Sequence, residues 1–430
     1  MNYKPSGSIL AASFLLLFTA CSKENAHPSP SGMDKTISIE NVLQAKKLVE
    51  SGTFEQKGSS PLILPGQSVS FKFSASYGQT VSFAAMYGYS NDLFFAPDNP
   101  GIALYDDQKK PIEGDVSDQI SLWDNGTRVN QVPGATVNLP GVAQTNAVKK
   151  VIQKDAEGNT YLAASSLVKA TLVYNGDSYF TLTLKNTSGG TKNETPLSPG
   201  VWAISYIAGS DLLMPAPLYQ EGQPTANGLT PLAEMGDNAA LSSYVKENTG
   251  IFTPLSPVLV VTYKGADNPI FKIGQKDPGN GLKKLAQQGD ATDLAAALKK
   301  IQGVSGVYIL PAEATTVLLP ASGGQPGGKV TQKLHVEKGD HLAIATMYGF
   351  SNDWFFAASG IDPLKTGDHS GLVKLFDDGT AMDQFPGAGN AQFNLGGNVM
   401  DKENSIQQVP NPNPFTTLPA LTDLIKVTIE

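Results

Sequence analysis

The chain has 430 residues, of which 40% are hydrophobic and 16% charged, and its 31 basic and 39 acidic residues give a formal net charge of −8. This length predicts two domains, and the low charge fraction predicts a packed core instead of a disordered, solvated chain. An acidic chain without a dense Lys/Arg stripe argues against nucleic acid as a partner, and a single cysteine excludes a disulfide framework or a Cys-based zinc site.

Residues 1–20 predict a removable signal peptide. Lys4 supplies a positive start, and Ile9 to Phe18 is an apolar run too short to span about 30 Å of hydrocarbon. The run ends in Phe18-Thr19-Ala20-Cys21, which resembles the lipobox of bacterial lipoproteins, although Phe18 stands where Leu is usual. That resemblance implies cleavage before Cys21, lipidation of its thiol, and a membrane partner reached through a lipid anchor. The competing reading is an ordinary signal peptide with an incidental cysteine. Residues 21–35 are polar and non-periodic, a flexible tether. Within them Lys23-Glu24 resembles the short charged stretch that sends some Bacteroidetes-type lipoproteins to the cell surface, which implies an outer-membrane protein of the cell envelope.

An internal repeat follows. Met86-Tyr87-Gly88-Tyr89-Ser90-Asn91-Asp92-Leu93-Phe94-Phe95-Ala96 returns as Met347-Tyr348-Gly349-Phe350-Ser351-Asn352-Asp353-Trp354-Phe355-Phe356-Ala357, identical at nine of eleven positions. Leu122-Trp123-Asp124-Asn125-Gly126-Thr127 pairs with Leu375-Phe376-Asp377-Asp378-Gly379-Thr380. The first offset is 261 and the second 253, so the connection in the second copy is eight residues shorter. A repeat this long means two homologous domains. In the first, Val69, Phe71, Phe73 and Ala75 alternate with polar residues, a half-buried strand, and Gln79 to Met86 is the next strand. Lys329 to Val336 and His341 to Met347 are their counterparts. Val168 to Tyr174 matches Ile425 to Ile429 as a closing strand. Short alternating runs with Gly/Pro turns predict an all-β fold of two tandem antiparallel β-sandwiches. Asn175-Gly176 is read as the boundary, giving 36–176 and 177–430. The second domain carries short helices in an insert, 193–303, that is itself duplicated: Leu197-Ser198-Pro199 with Leu232-Ala233-Glu234-Met235-Gly236-Asp237 recurs as Leu255-Ser256-Pro257 with Leu285-Ala286-Gln287-Gln288-Gly289-Asp290.

These separated motifs resemble, in order, the spondin N-terminal domain of animal matrix proteins and bacterial secreted proteins. The resemblance covers about 37–430, partial in the first domain. It implies a sandwich with one Ca²⁺ at its end, held by three aspartates of two loops. Two of the three map here in each copy, Asp92 with Asp124 and Asp353 with Asp377. The third is lost, since Arg128 and Ala381 stand at its positions; Asp378 or Asp383 is available to replace it in the second domain. Ca²⁺ takes six to eight oxygens, and carbonyls and water can complete a set of carboxylates. Asn-Asp and Asp-Asn-Gly are also strong turn formers, so the competing reading is that these aspartates make Asx turns.

Other signals are weaker. Gly323 to Lys329 nearly matches a phosphate-binding loop, but Val330 replaces the hydroxyl residue and a strand follows where a helix is needed. Tyr87, Phe94, Phe95, Trp354, Phe355 and Phe356 read as core, with an exposed sugar or lipid platform as the alternative. His335, His341 and His369 are scattered and read as non-ligands. No nucleophile–His–acid arrangement stands out, so the first expectation is a non-enzymatic, lipid-anchored adhesion protein that recognises a polysaccharide or extracellular protein through Ca²⁺-ordered loops. The alternative is an envelope glycan hydrolase or accessory subunit using a carboxylate pair among Asp106, Asp107, Glu113, Asp115 and Asp118.

Overall fold

The computed structural model describes residues 32–134, 141–311 and 317–430. The signal peptide, Cys21 and residues 21–31 lie outside the described residues, whereas 33–35, expected as tether, already belong to a strand.

That strand is β1 (Met33–Asn41). The first sandwich follows as β2 (Leu48–Phe54), β3 (Ser68–Ser74), β4 (Thr80–Tyr87), β5 (Leu93–Pro97), β6 (Ile120–Asp124), β7 (Val168–Gly176), β8 (Tyr179–Asn186), β9 (Leu197–Ser205) and helices α1 (Leu229–Met235) and α2 (Ala239–Asn248). The second comprises β10 (Val258–Lys264), helices α3 (Leu282–Gln288) and α4 (Thr292–Leu298), β11 (Val304–Leu310), β12 (Lys329–Val336), β13 (Asp340–Met347), β14 (Trp354–Ile361), β15 (Lys374–Asp377) and β16 (Ile425–Ile429). The expected all-β architecture of antiparallel sheets with short helices is what forms.

Strand order shows how the repeats are built. In the first sandwich a β3-β8-β7 sheet faces a β2-β9-β4-β5-β6 sheet; in the second, β12-β1-β16 faces β11-β10-β13-β14-β15. Position by position, β1 therefore plays in the second sandwich the part that β8 plays in the first. Both strands read as Thr, aliphatic, hydroxyl residue, aliphatic, then a charged residue and Asn: Thr36-Ile37-Ser38-Ile39-Glu40-Asn41 and Thr181-Leu182-Thr183-Leu184-Lys185-Asn186. The two aliphatics point inward and are at most 1% exposed. Both asparagines end the strand with their amide nitrogens donated to two carbonyls, Thr253 and Leu318 for Asn41, Ile63 and Thr195 for Asn186.

This arrangement corrects the expected boundary. Asn175-Gly176 ends β7, and Asp177-Ser178 make the turn of the β7–β8 hairpin, with Leu172 opposite Leu182, inside one sheet. The first sandwich runs from 48 to 249, and the second takes 251–430 together with the N-terminal β1, paired antiparallel to β12 and β16. A tight turn within a sheet and a tight turn between domains have the same local chemistry, which is why the sequence pattern misplaced it. The insert is corrected likewise: each sandwich owns one Ser-Pro segment and one helix pair. The motif has a packing reason. Ser198 Oγ accepts the Met86 N–H at 2.8 Å and Ser256 Oγ the Met347 N–H at 2.9 Å. Gly236 and Gly289 end α1 and α3 at φ +71° and +74°, so close that an added Cβ would lie 2.9 and 2.8 Å from those serines' Cβ.

Helices cover the outer face of each five-stranded sheet, so both faces are buried. Phe95 faces the sandwich core and Phe94 packs with Leu232, Leu241 and Trp123 under α1 and α2. Phe356 and Phe355 divide in the same way. A Phe-Phe pair suits a strand whose successive side chains point to two covered faces. All six aromatic residues singled out above are core, none more than 4% exposed.

Candidate metal centre

The repeated Ser-Asn-Asp segment joins β4 to β5, and β13 to β14, and its residues have separate tasks. Ser351 Oγ donates to the Tyr348 carbonyl at 2.8 Å and accepts the Trp354 N–H at 3.0 Å, closing the turn. Asn352 Oδ1 accepts the Gln384 N–H at 2.9 Å. Asp353 Oδ2 accepts from the Thr380 N–H at 2.7 Å, the Ala381 N–H at 2.8 Å and Thr380 Oγ at 3.1 Å. Asp92 makes the same three contacts with Thr127 and Arg128. One carboxylate oxygen thus holds the Asp-x-Gly-Thr turn in each copy. Asp124 and Asp377 also cap that turn through the Gly126 and Gly379 N–H groups. The Asx-turn reading is therefore true of Asp124 and Asp377, whereas Asp92 and Asp353 bond a turn far along the chain.

What remains is the second oxygen. Asp353 is fully buried and its Oδ1 has no hydrogen-bond partner. Strand pairing sets Trp354 opposite Asp377, which brings Asp377 beside Asp353. Asp383 joins them: one carboxylate oxygen from each of Asp353, Asp377 and Asp383 lies within 4.8 Å of the others. Oxygens around one Ca²⁺, at 2.3–2.6 Å each, are separated by at most about 5 Å, so the set fits such an ion. Asp377 and Asp383 are half-buried and leave a way in.

The electrostatics agree. Burial, and then the charges of Asp377 and Asp383, push the Asp353 carboxyl up to about 7. Asp383 is raised to about 6 by burial and by Asp377. Asp377 is raised as well, chiefly by burial, and shares a hydrogen bond with Asp383. Lys402 offsets part of this at Asp377 and Asp383, and three carboxyls so placed hold protons unless further positive charge is supplied. Asp378, also buried, rises to about 8 through burial and the nearby Asp277.

The first sandwich repeats this geometry with other charges. Leu93 pairs with Asp124, so Asp92 and Asp124 are neighbours; burial and Asp124 push Asp92 up to about 6, and its Oδ1 also lacks a partner. Asn130 stands at the position of Asp383 and donates to Asp124 Oδ2 at 2.9 Å. Lys149, opposite Asp124 on the edge, approaches that same oxygen at 3.9 Å, where the second sandwich has neutral Gln407 opposite Asp377. Arg128 turns to Glu234 of α1 at 2.8 Å. Sequence reasoning kept Asp383 only as a substitute ligand. The signal for it was present: at the offset of 253 it aligns with Asn130, six residues beyond the paired Asp.

Three of the five acids of the 106–118 segment make local contacts. Asp106 Oδ1 accepts the Gln108 and Lys110 N–H groups, Asp115 holds Ser117 and pairs with Lys169, and Glu113 accepts the Tyr174 N–H. His335 lies 2.9 Å from Asp34 of β1, and His369 contacts the Lys365 carbonyl. In the glycine-rich 323–328 segment the Gly328 carbonyl accepts the Asn41 N–H, tying it to β1. A groove of about 890 Å³ lies where segment 42–46, residues 249–251 and segment 417–426 meet, and none of the three clustered aspartates lines it. Among the described residues, no helix is long and apolar enough to cross a membrane. No family model matches the chain, and a search of curated proteins finds no relative.

Proposed function

We propose that the protein is a non-catalytic, lipid-anchored binding protein of the cell envelope, which recognises a polysaccharide or an extracellular protein through loops ordered by Ca²⁺. The observation that carries the cation is the convergence of Asp353, Asp377 and Asp383, with a fully buried carboxylate oxygen left unpartnered. The spondin-like motifs add a family precedent for three aspartates at a sandwich end, with the third ligand here moved from position 381 to 383. The second sandwich is the stronger site. In the first, Asp92, Asp124 and the Asn130 amide offer oxygens, but the Lys149 ammonium already offsets part of their charge, so binding there is weaker.

A glycan array and a panel of matrix proteins, probed with the full chain in calcium and in chelator, test the binding role. Calcium-dependent capture of one ligand class is expected. Background signal in both conditions, from protein shown to be folded, would remove adhesion as the function.

A further inference from the structure

One segment joins the aspartate cluster to the contact between the sandwiches. Chain 384–397 leaves Asp383 and is fixed at once to the turn that carries Asp353: the Gln384 N–H donates to Asn352 Oδ1 at 2.9 Å, and the Gly387 N–H to the Phe350 carbonyl at 2.9 Å. Its other side grips the first sandwich. The Asn390 N–H donates to Ser178 Oγ at 2.7 Å, Gln79 Nε2 to the Gly387 carbonyl at 3.1 Å, and Lys109 Nζ to the Gly396 carbonyl at 3.1 Å. Between these bonds lies an apolar cluster drawn from both sandwiches, with Val49 and Tyr206 on one side and Phe252, Phe350 and Ala388 on the other. Gly387, at φ +83°, sits against Tyr206 so closely that a Cβ would lie 2.2 Å from its ring. The matching chain in the first sandwich starts alike, with the Gln131 N–H on Asn91 Oδ1, but leaves Val132 64% exposed. Among the described residues the grip is seen in the second copy, the one whose third carboxylate stands at the root of the segment.

We infer that a cation held by Asp353, Asp377 and Asp383 braces the molecule: by drawing Asp383 onto the other two carboxylates it fixes segment 384–397, and so tightens the docking of the second sandwich on the first. The inference rests on the cation reading above. Without the ion, only the Asp377–Asp383 hydrogen bond ties the root of the segment to the cluster; with it, all three carboxylates share one centre, and root and grip favour the same position. Linkage makes the effect mutual, so loosening the grip must weaken cation binding.

Hydrogen exchange of the full chain, with calcium and with chelator, reads the brace away from the ion. Calcium is expected to slow exchange about tenfold or more at 384–397 and also at 76–79 and 177–179 of the first sandwich, with coupling of the size usual between linked sites. Ser178→Ala, on the first sandwich, and Gly387→Ala, a wedge against Tyr206, are each expected to lower calcium affinity by about fivefold or more, measured by titration calorimetry. Calcium binding with unchanged exchange at 76–79 and 177–179, or unchanged affinity in both variants, overturns the brace and leaves the cation site standing. No calcium heat at all overturns both.

Discussion

At the scale of residues, the same turn is built twice with different charges, and the difference is a built-in experiment. Asp353 and Asp92 each spend one oxygen on three donors of the following turn and leave the other bare. Among the differences, two touch the paired aspartates directly: the third group, Asp383 against Asn130, and the edge residue, Gln407 against Lys149. Asp383→Asn keeps an oxygen but removes a charge, and is expected to weaken calcium binding by about tenfold or more, since charge count tunes such sites. The reverse change, Asn130→Asp with Lys149→Gln, is expected to raise the calcium count measured by calorimetry by one per chain; an unchanged count would show that these two positions do not set the difference. Titration follows from the same groups. Asp353 at about 7, Asp378 at about 8 and Glu50 at about 7, the last raised by burial and partly offset by the Ser74 N–H at 2.5 Å, all bind protons in the fold that an unfolded chain releases near pH 4. The folded state therefore binds more protons than the unfolded state between about pH 4 and 8, and stability is full below that window and falls as pH rises through it. Melting in chelator is expected to show this decline. Glu50→Gln should reduce it, and calcium should remove the part due to Asp353; a melting point that rises from pH 5 to 7.5 in chelator contradicts the assignment.

Among the elements, β1 shows what alternation reveals and what it hides. Val69, Phe71 and Phe73 announced a half-buried strand, and the Ser-Asn-Asp and Asp-x-Gly-Thr repeats announced matching turns in two sandwiches, whereas the alternating Ile37 and Ile39 of β1 were not read as a strand. Which sandwich β1 joins was hidden, because pairing partners 291 and 388 residues away leave no mark in local periodicity: Ile39 sits opposite Val330 and Val427. The Asn175-Gly176 hairpin hid the boundary for the same reason. Asp383 was legible only as one of two possible substitutes, with Asp378, because proximity in sequence does not say which carboxylate turns towards Asp353 and Asp377. The placement of β1 makes a prediction at this scale. Ile39→Ala leaves a cavity in the second core and should cost about 2–5 kcal/mol. In a Trp123→Phe, Trp202→Phe background, Trp354 fluorescence should report an earlier unfolding of the second sandwich. The loss should not fall on the first sandwich, although β1 precedes it in the chain; if it did, the strand assignment would be wrong.

For the whole molecule, the chain is closed end to end: its first described strand lies against its last, β1 with β16, so the second sandwich is finished only by residues from the far end of the sequence. The site then sits on the sandwich that also receives β1, and segment 384–397 ties that sandwich to its neighbour. All of this functional reading depends on the three aspartates accepting a divalent ion. Calcium titration of the full chain by calorimetry, run beside Asp383→Asn, tests this most directly. The account predicts one site per chain that clearly exceeds any other in affinity, and its loss or severe weakening in the variant. At a hundredfold excess over the dissociation constant, binding to the native state alone adds about 2.7 kcal/mol, which for a sandwich of this size raises its melting point by about 5–10 °C. A titration without heat, in a protein that melts identically in calcium and in chelator, would contradict it.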